Sequence, residues 1–227
     1  MSDIISRINP QFIAMLYRIP VLLVSFTVHE LAHALTAYRF GDDTAKAAGR
    51  LSLNPVRHID PFGAIMLVFS GFGWAKPVPI NPENFRSKKA GIIFTSLAGP
   101  LSNVLMAIIF GTAYVLSNAY ARQPRFLPIS TPSQVTLTLL YYFVNINIAL
   151  AAFNLLPIPP LDGSKILLAI LPDRIYYGFI LRYERYGMFI LIGLSVSGYL
   201  MDILIPVIGF LWDLVNFVVK PVTSLFI

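Results

Sequence analysis

The 227-residue chain contains no cysteine, and only 12% of its residues are charged. Without a thiol there is no disulfide, no thiolate metal ligand and no cysteine nucleophile. The shortage of charge is equally restrictive. With 56% hydrophobic residues and a mean hydropathy of +0.71, the chain carries more apolar surface than a water-soluble domain can bury. No hydrophilic stretch is long enough to build a separate soluble unit, so one membrane-embedded domain over residues 1–227 is expected. Lys and Arg outnumber Asp and Glu, 17 to 11. These cations sit in loops beside apolar runs, which is the pattern of membrane orientation rather than of nucleic-acid binding.

Four apolar stretches are present, at about 12–38, 91–116, 135–156 and 186–219. They predict an all-α polytopic membrane protein, a bundle of about four to six transmembrane helices. The first stretch is too long for a signal-peptide core and is expected to be retained. The last is too long for one simple span and is interrupted by Asp202 and Pro206. One kinked helix and two successive helices both fit it. Residues 41–90 are rich in Gly, Pro and Asn and include a short apolar run at 62–74. That run predicts a re-entrant segment or a short β-hairpin after the first helix. Residues 74–82 read as extended chain, either an edge offered to an unwound substrate or a proline-rich structural loop.

Charge predicts the topology. Arg39, Lys46, Arg50, Arg57, Lys76, Arg86, Lys88 and Lys89 lie between the first two stretches, and Lys165, Arg174, Arg182 and Arg185 follow the third. Only Arg122 and Arg125 lie between the second and third. The positive-inside rule puts the first two groups in the cytoplasm, and the 118–134 loop and the amino terminus outside.

The first stretch contains His29-Glu30-Leu31-Ala32-His33. Histidines four apart on a helix project from one face, close enough to share a metal ion. A glutamate beside the first can reach a water bound to that metal, which is the His-Glu-x-x-His arrangement of zinc proteases. Ionisable groups at membrane depth are costly and are retained for function. A catalytic zinc site wants three protein ligands. His58, the only other histidine, lies in the polar loop, where with Asp60 it reads either as a second, weaker metal or proton-transfer pair or as an ordinary loop residue. The better third ligand is Asp162, in Asn154-Leu155-Leu156-Pro157-Ile158-Pro159-Pro160-Leu161-Asp162-Gly163. There a helix is broken by prolines at membrane depth, as happens where the chain lines a polar cavity. The competing reading of Asp162 is a helix cap.

These residues resemble the site-2 proteases, intramembrane zinc metalloproteases. The likeness rests on His29 to His33, on Asn154-x-x-Pro157 followed by Leu161-Asp162-Gly163, and on Ala98-Gly99-Pro100-Leu101-Ser102-Asn103. Gly73-Trp74-Ala75-Lys76-Pro77-Val78-Pro79 resembles the compact prokaryotic branch without a PDZ domain. The resemblance implies a catalytic core at about 12–171, followed by a helical segment at about 186–225. It implies one zinc ion per chain held by His29, His33 and Asp162, with Glu30 as general base. The expected reaction is hydrolysis of a peptide bond in or next to a transmembrane helix of a membrane-protein substrate. The expected setting is a prokaryotic cell membrane, with the site nearer the cytoplasmic side. Asn154, Pro157 and Asn103 are candidates for contacting substrate or the oxyanion. For Asn154, as for Asn145 and Asn147, interhelical hydrogen bonding is the other reading, and Asn103, with Gly99 and Ser102, also reads as a small-residue helix contact. The alternative function is a metal-binding membrane protein without proteolysis, a transporter or an inactive regulator.

Overall fold

In the computed structural model, which describes residues 10–63, 74–122 and 134–224, the chain is a bundle of long helices. The first, α1 (Pro10–Arg39), starts at a proline, whose missing N–H would have had no partner in the first turn. It ends in a Schellman motif: Asp42 N–H donates to the Ala37 carbonyl and Gly41 N–H to that of Tyr38. Gly41 takes the left-handed φ of 109° that this turn requires. A short helix, α2 (Thr44–Ala47), and two single-turn 3-10 segments, Pro55–Arg57 and Pro82–Asn84, punctuate the polar connection to α3 (Lys88–Arg122). The remaining helices are α4 (Gln134–Asn154), α5 (Asp162–Ile170), α6 (Asp173–Ser197) and α7 (Tyr199–Ser224).

Four of these helices are long and apolar enough to cross a membrane: 14–39 of α1, 88–118 of α3, α4 and α7. The central one is α3, which packs against α1, α4, α5 and α7. Ala107, Val144, Ile148, Ala151, Leu211, Val215 and Val219 meet in the apolar core between α3, α4 and α7. The opposite faces carry exposed Leu101, Leu105, Ile109, Phe210 and Phe217, as suits contact with acyl chains.

One expectation about segments changes, and another falls largely outside the described residues. The 186–219 stretch is broken at Gly198, not at Asp202 or Pro206. Gly198 caps α6 at φ 84°, a conformation that costs glycine nothing. Asp202 falls in the first turn of α7, where negative charge suits the helix dipole, and Pro206 is carried inside that helix. The re-entrant or hairpin segment was expected at 62–74, and residues 64–73 lie outside the described residues. Among the described residues there is no strand, only an isolated antiparallel bridge between Ile59 and Ala75.

Candidate metal centre

His29 and His33 lie one turn apart near the C-terminal end of α1, and both are buried. Their rings stand edge to face with centroids 4.6 Å apart. The chain then returns twice to this spot. α3 brings the Thr95 carbonyl and the Asn103 side chain to the outer nitrogens of the two rings. The turn after α4 brings Asp162, in the first turn of α5, against their inner nitrogens. A glycine makes this return possible. A Cβ on Gly163 would lie 2.2 Å from the Leu155 carbonyl oxygen and 2.5 Å from that of Leu156, so only a residue without a side chain lets α5 start against the last turn of α4.

The hydrogen-bond pattern decides which imidazole nitrogens are free. The Thr95 carbonyl can only accept, so His33 Nδ1, at 2.6 Å, carries a hydrogen, and in the neutral imidazole Nε2 is the nitrogen that presents a lone pair. For His29 the same deduction runs through a buried amide chain. The Phe143 carbonyl accepts from Asn147 Nδ2 at 2.8 Å, so Asn147 Oδ1 faces Asn103 Nδ2 at 2.7 Å. Asn103 Oδ1 therefore accepts from His29 Nδ1–H at 2.6 Å, and in the neutral ring His29 Nε2 presents the lone pair too. Ser25 Oγ completes the chain at 2.9 Å from Asn147 Nδ2.

Three electron-pair donors consequently converge. His29 Nε2 and His33 Nε2 are 3.0 Å apart, and Asp162 Oδ2 lies 3.3 and 3.1 Å from them. Two lone pairs and a carboxylate oxygen repel one another unless a proton or a metal cation is shared among them. Zinc–ligand distances near 2.0–2.1 Å give tetrahedral ligand–ligand edges of about 3.3 Å, close to those observed. Among the described residues, this is the one group of His, Asp and Glu side chains that could hold a metal ion. The donor set, two imidazoles and a carboxylate, fits zinc with a position left for water. Asp162 is not a helix cap: Leu161 is the N-cap of α5, and Asp162 Oδ1 accepts instead from Lys165 Nζ at 3.3 Å.

The backbone closes over this centre. Gly99 on α3 faces both imidazoles: a Cβ there would fall 2.4 Å from His33 Nε2 and 2.6 Å from His29 Nε2. Glu30 points to the segment 76–80, where its Oε2 accepts from Val78 N–H at 2.9 Å. Arg50, counted above as an orienting loop charge, is in fact buried, and it donates to the carbonyls of Lys76 and Pro77.

The remaining candidates are placed as follows. Asn103 is fully buried behind His29, with both amide atoms engaged. Asn154 donates to the Leu150 carbonyl one turn back, and Asn145 to that of Tyr141. Pro157 is exposed and its carbonyl accepts from the Tyr183 hydroxyl. His58 does not join the cluster; its Nε2–H donates to the Ser52 carbonyl at 2.7 Å. Asp60 accepts from Gly63 N–H.

A sequence profile described as "Peptidase family M50" matches residues 17–197. The chain belongs to peptidase family M50. It is 41% identical over 181 residues to "Putative zinc metalloprotease YwhC" of Bacillus subtilis, covering 80% of each chain. It is 30% identical to "Putative zinc metalloprotease MJ0611" of Methanocaldococcus jannaschii, over 70% of this chain and 73% of that one. "Putative zinc metalloprotease Rip2" of Mycobacterium tuberculosis is 32% identical over 64% of this M50 chain and 53% of its own. No solved structure matches the chain.

Proposed function

We propose that this M50 peptidase is an intramembrane zinc endopeptidase. It would cut a peptide bond in or beside a transmembrane helix of a membrane-protein substrate, with Glu30 as general base. The observation that carries the reading is the convergence of His29 Nε2, His33 Nε2 and Asp162 Oδ2 within 3.0–3.3 Å, next to Glu30 on the same helix turn. These three residues would hold one zinc ion, which when bound makes water acidic enough to ionise near neutral pH and polarises a carbonyl.

The rest belongs to the chain itself. Asn103 and the Thr95 carbonyl keep both imidazoles in the tautomer that presents Nε2. Glu30 takes the proton from the attacking water and returns it to the leaving amine. Asn154 and Pro157, on the path from α4 to Asp162, are assigned to substrate contact; Asn103 acts from behind His29. Val78, Pro77 and Lys76 already engage their backbone groups with Glu30, Arg50 and His58. A substrate edge laid on 74–82 would therefore have to use the groups outside that run.

Depth supports access from one face. His33 lies six residues before the end of α1, about 9 Å along the axis. Thr95 lies seven residues into α3. The centre thus sits within two turns of the same end of the bundle, and that end carries the basic residues Arg39, Arg57, Lys88 and Lys89, which favour the cytoplasm. Water and an unwound segment of substrate both reach such a depth more readily than the bilayer centre. The test is Glu30→Gln. Purified variant should bind one zinc per chain and cleave nothing, and single-span proteins should accumulate in the membrane proteome relative to wild type. Cleavage at the wild-type rate by this variant would remove Glu30 from the chemistry.

A further inference from the structure

We infer that Arg50 is a positioning residue for Glu30 and acts through one peptide group, the unit joining Pro77 to Val78. The inference rests on the reading of Glu30 as the base. The Pro77 carbonyl accepts from Arg50 Nη1 at 3.1 Å, and the N–H at the other end of the same unit, on Val78, donates to Glu30 Oε2 at 2.9 Å. A trans peptide directs its C=O and N–H to opposite sides, and among the described residues the one cis bond is Pro159–Pro160. A guanidinium, an aligned peptide dipole and a carboxylate thus stand in series, each end polarising the group between them. Arg50 Nη2 also holds the Lys76 carbonyl of the preceding peptide at 2.5 Å, so Arg50 grips two successive peptide units of the 76–80 strap. The strap is fastened further by Lys76 N–H on the His58 carbonyl, by the burial of Val78 against Ala34 and Ala45, and by Asn81 N–H on Asp42.

Arg50 is only 5% exposed, and its Nε has no hydrogen-bond partner. Burying a cation this way is unfavourable unless it is hydrogen-bonded and faces an opposite charge, which the Pro77 and Lys76 carbonyls and the Glu30 carboxylate supply. Burial pulls the Arg50 guanidinium below its ordinary range, and the Glu30 carboxylate opposes that pull from across the strap. One Glu30 oxygen is fixed by Val78, which leaves the other for the proton transfer. Without the strap, the carboxylate would have free χ angles and its transfer geometry would be lost part of the time. The flanking prolines keep the strap extended and leave Val78 as the single amide between 76 and 80.

The experiment uses the full chain in detergent or nanodiscs, with zinc content measured on every sample. First, hydrogen exchange is read on a peptide covering 75–80, where Pro77 and Pro79 contribute no amide. Arg50→Met and Glu30→Ala should each accelerate exchange at Val78 at least about tenfold while zinc stays at one per chain. Second, turnover is measured on dye-quenched β-casein, an unfolded probe that needs no unwinding. Arg50→Met and Val78→Pro should each lower kcat about 10- to 100-fold with KM within about twofold. Their combination should lose no more than the worse of the two, because both break one relay. Arg50→Lys, which keeps the charge and one donor, should recover part of kcat; Val78→Ala, which keeps the N–H, should retain more than Val78→Pro. If Arg50→Met does not fold, Arg50→Lys and Val78→Pro carry the comparison. Unchanged Val78 exchange in the Arg50 variants, full kcat in both the Arg50 variants and Val78→Pro, or multiplicative losses in the double variant would overturn the inference. With Glu30→Gln inactive, such results leave the base in place and remove only Arg50's role; an active Glu30→Gln removes the base itself.

Discussion

Gly99→Ala is the sharpest structural test of the metal centre, because it adds one carbon atom at its inner wall. That carbon would sit 2.4 Å from His33 Nε2 and 2.6 Å from His29 Nε2, whereas ordinary contacts begin at 3.4 Å. Each imidazole would have to retreat by about 1 Å, and a zinc site tolerates only about 0.2 Å in its ligand distances. The rings are not free to turn, since Asn103 and the Thr95 carbonyl hold both Nδ1 atoms at 2.6 Å. If α3 yields instead of the rings, the strain costs about 1–3 kcal/mol of stability. We expect zinc affinity to fall at least about 100-fold, equivalent to about 2.8 kcal/mol. It can be measured by competition against a chelator of known affinity, with helicity and thermal midpoint followed in parallel. Gly111→Ala is the internal control. It lies three turns further along the same helix, and its Cβ would meet Val219 at 3.4 Å and Val215 at 3.7 Å. It should bind zinc like wild type, with stability equal or slightly raised by the better helix former. Wild-type zinc affinity in Gly99→Ala would refute the placement of the cation against this helix.

Asn103→Leu should keep the bundle folded but release His29 from its fixed tautomer, and zinc affinity should drop about 10- to 100-fold by the same competition assay; unchanged affinity would show that the amide chain does not tune the site. Asp42 yields a pH prediction. Burial works against its ionisation, but hydrogen bonds from the Thr44 hydroxyl, the Asn84 amide, Asn81 N–H and Thr44 N–H outweigh it and hold the carboxyl below its ordinary range. A lowered folded-state value means the clasp stabilises fully above the unfolded value of about 3.9 and is lost as pH falls through the lower one. Asp42→Asn should therefore cost about 1–3 kcal/mol at neutral pH and flatten the loss of thermal stability between pH 5 and pH 3, in about that window. An acid slope equal to wild type would show that another group controls it.

Local periodicity made some of this legible in the sequence. His29 and His33 face one way on any helix, so their pairing needed no knowledge of the rest of the chain. Asp162 could be named because an acid after a broken apolar helix has few other uses, yet its aim at the imidazoles depends on Gly163 lying against the Leu155 and Leu156 carbonyls. Asn147 was recognisable as an interhelical amide, since polar amides inside spans seek partners on neighbouring helices. Arg50 was not recognisable. A cation in a polar loop reads as solvated, and only the return of residues 76–78 across α1 buries it. The break at Gly198 was missed because Asp202 and Pro206 are the stronger breakers in water, where α7 does not have to form.

The amino-acid sequence alone determined the membrane class and the helix-borne pair of imidazoles with its neighbouring carboxylate, because these follow from composition and from spacing within one helix; it offered Asp162 only as a candidate third ligand. The tertiary structure decided which nitrogens are free, what lies behind His29, how Glu30 is held and where a side chain cannot be tolerated. Those facts depend on groups 44 to 129 residues apart meeting within hydrogen-bond distance, and no one-dimensional pattern carries the direction in which a folded chain returns to itself.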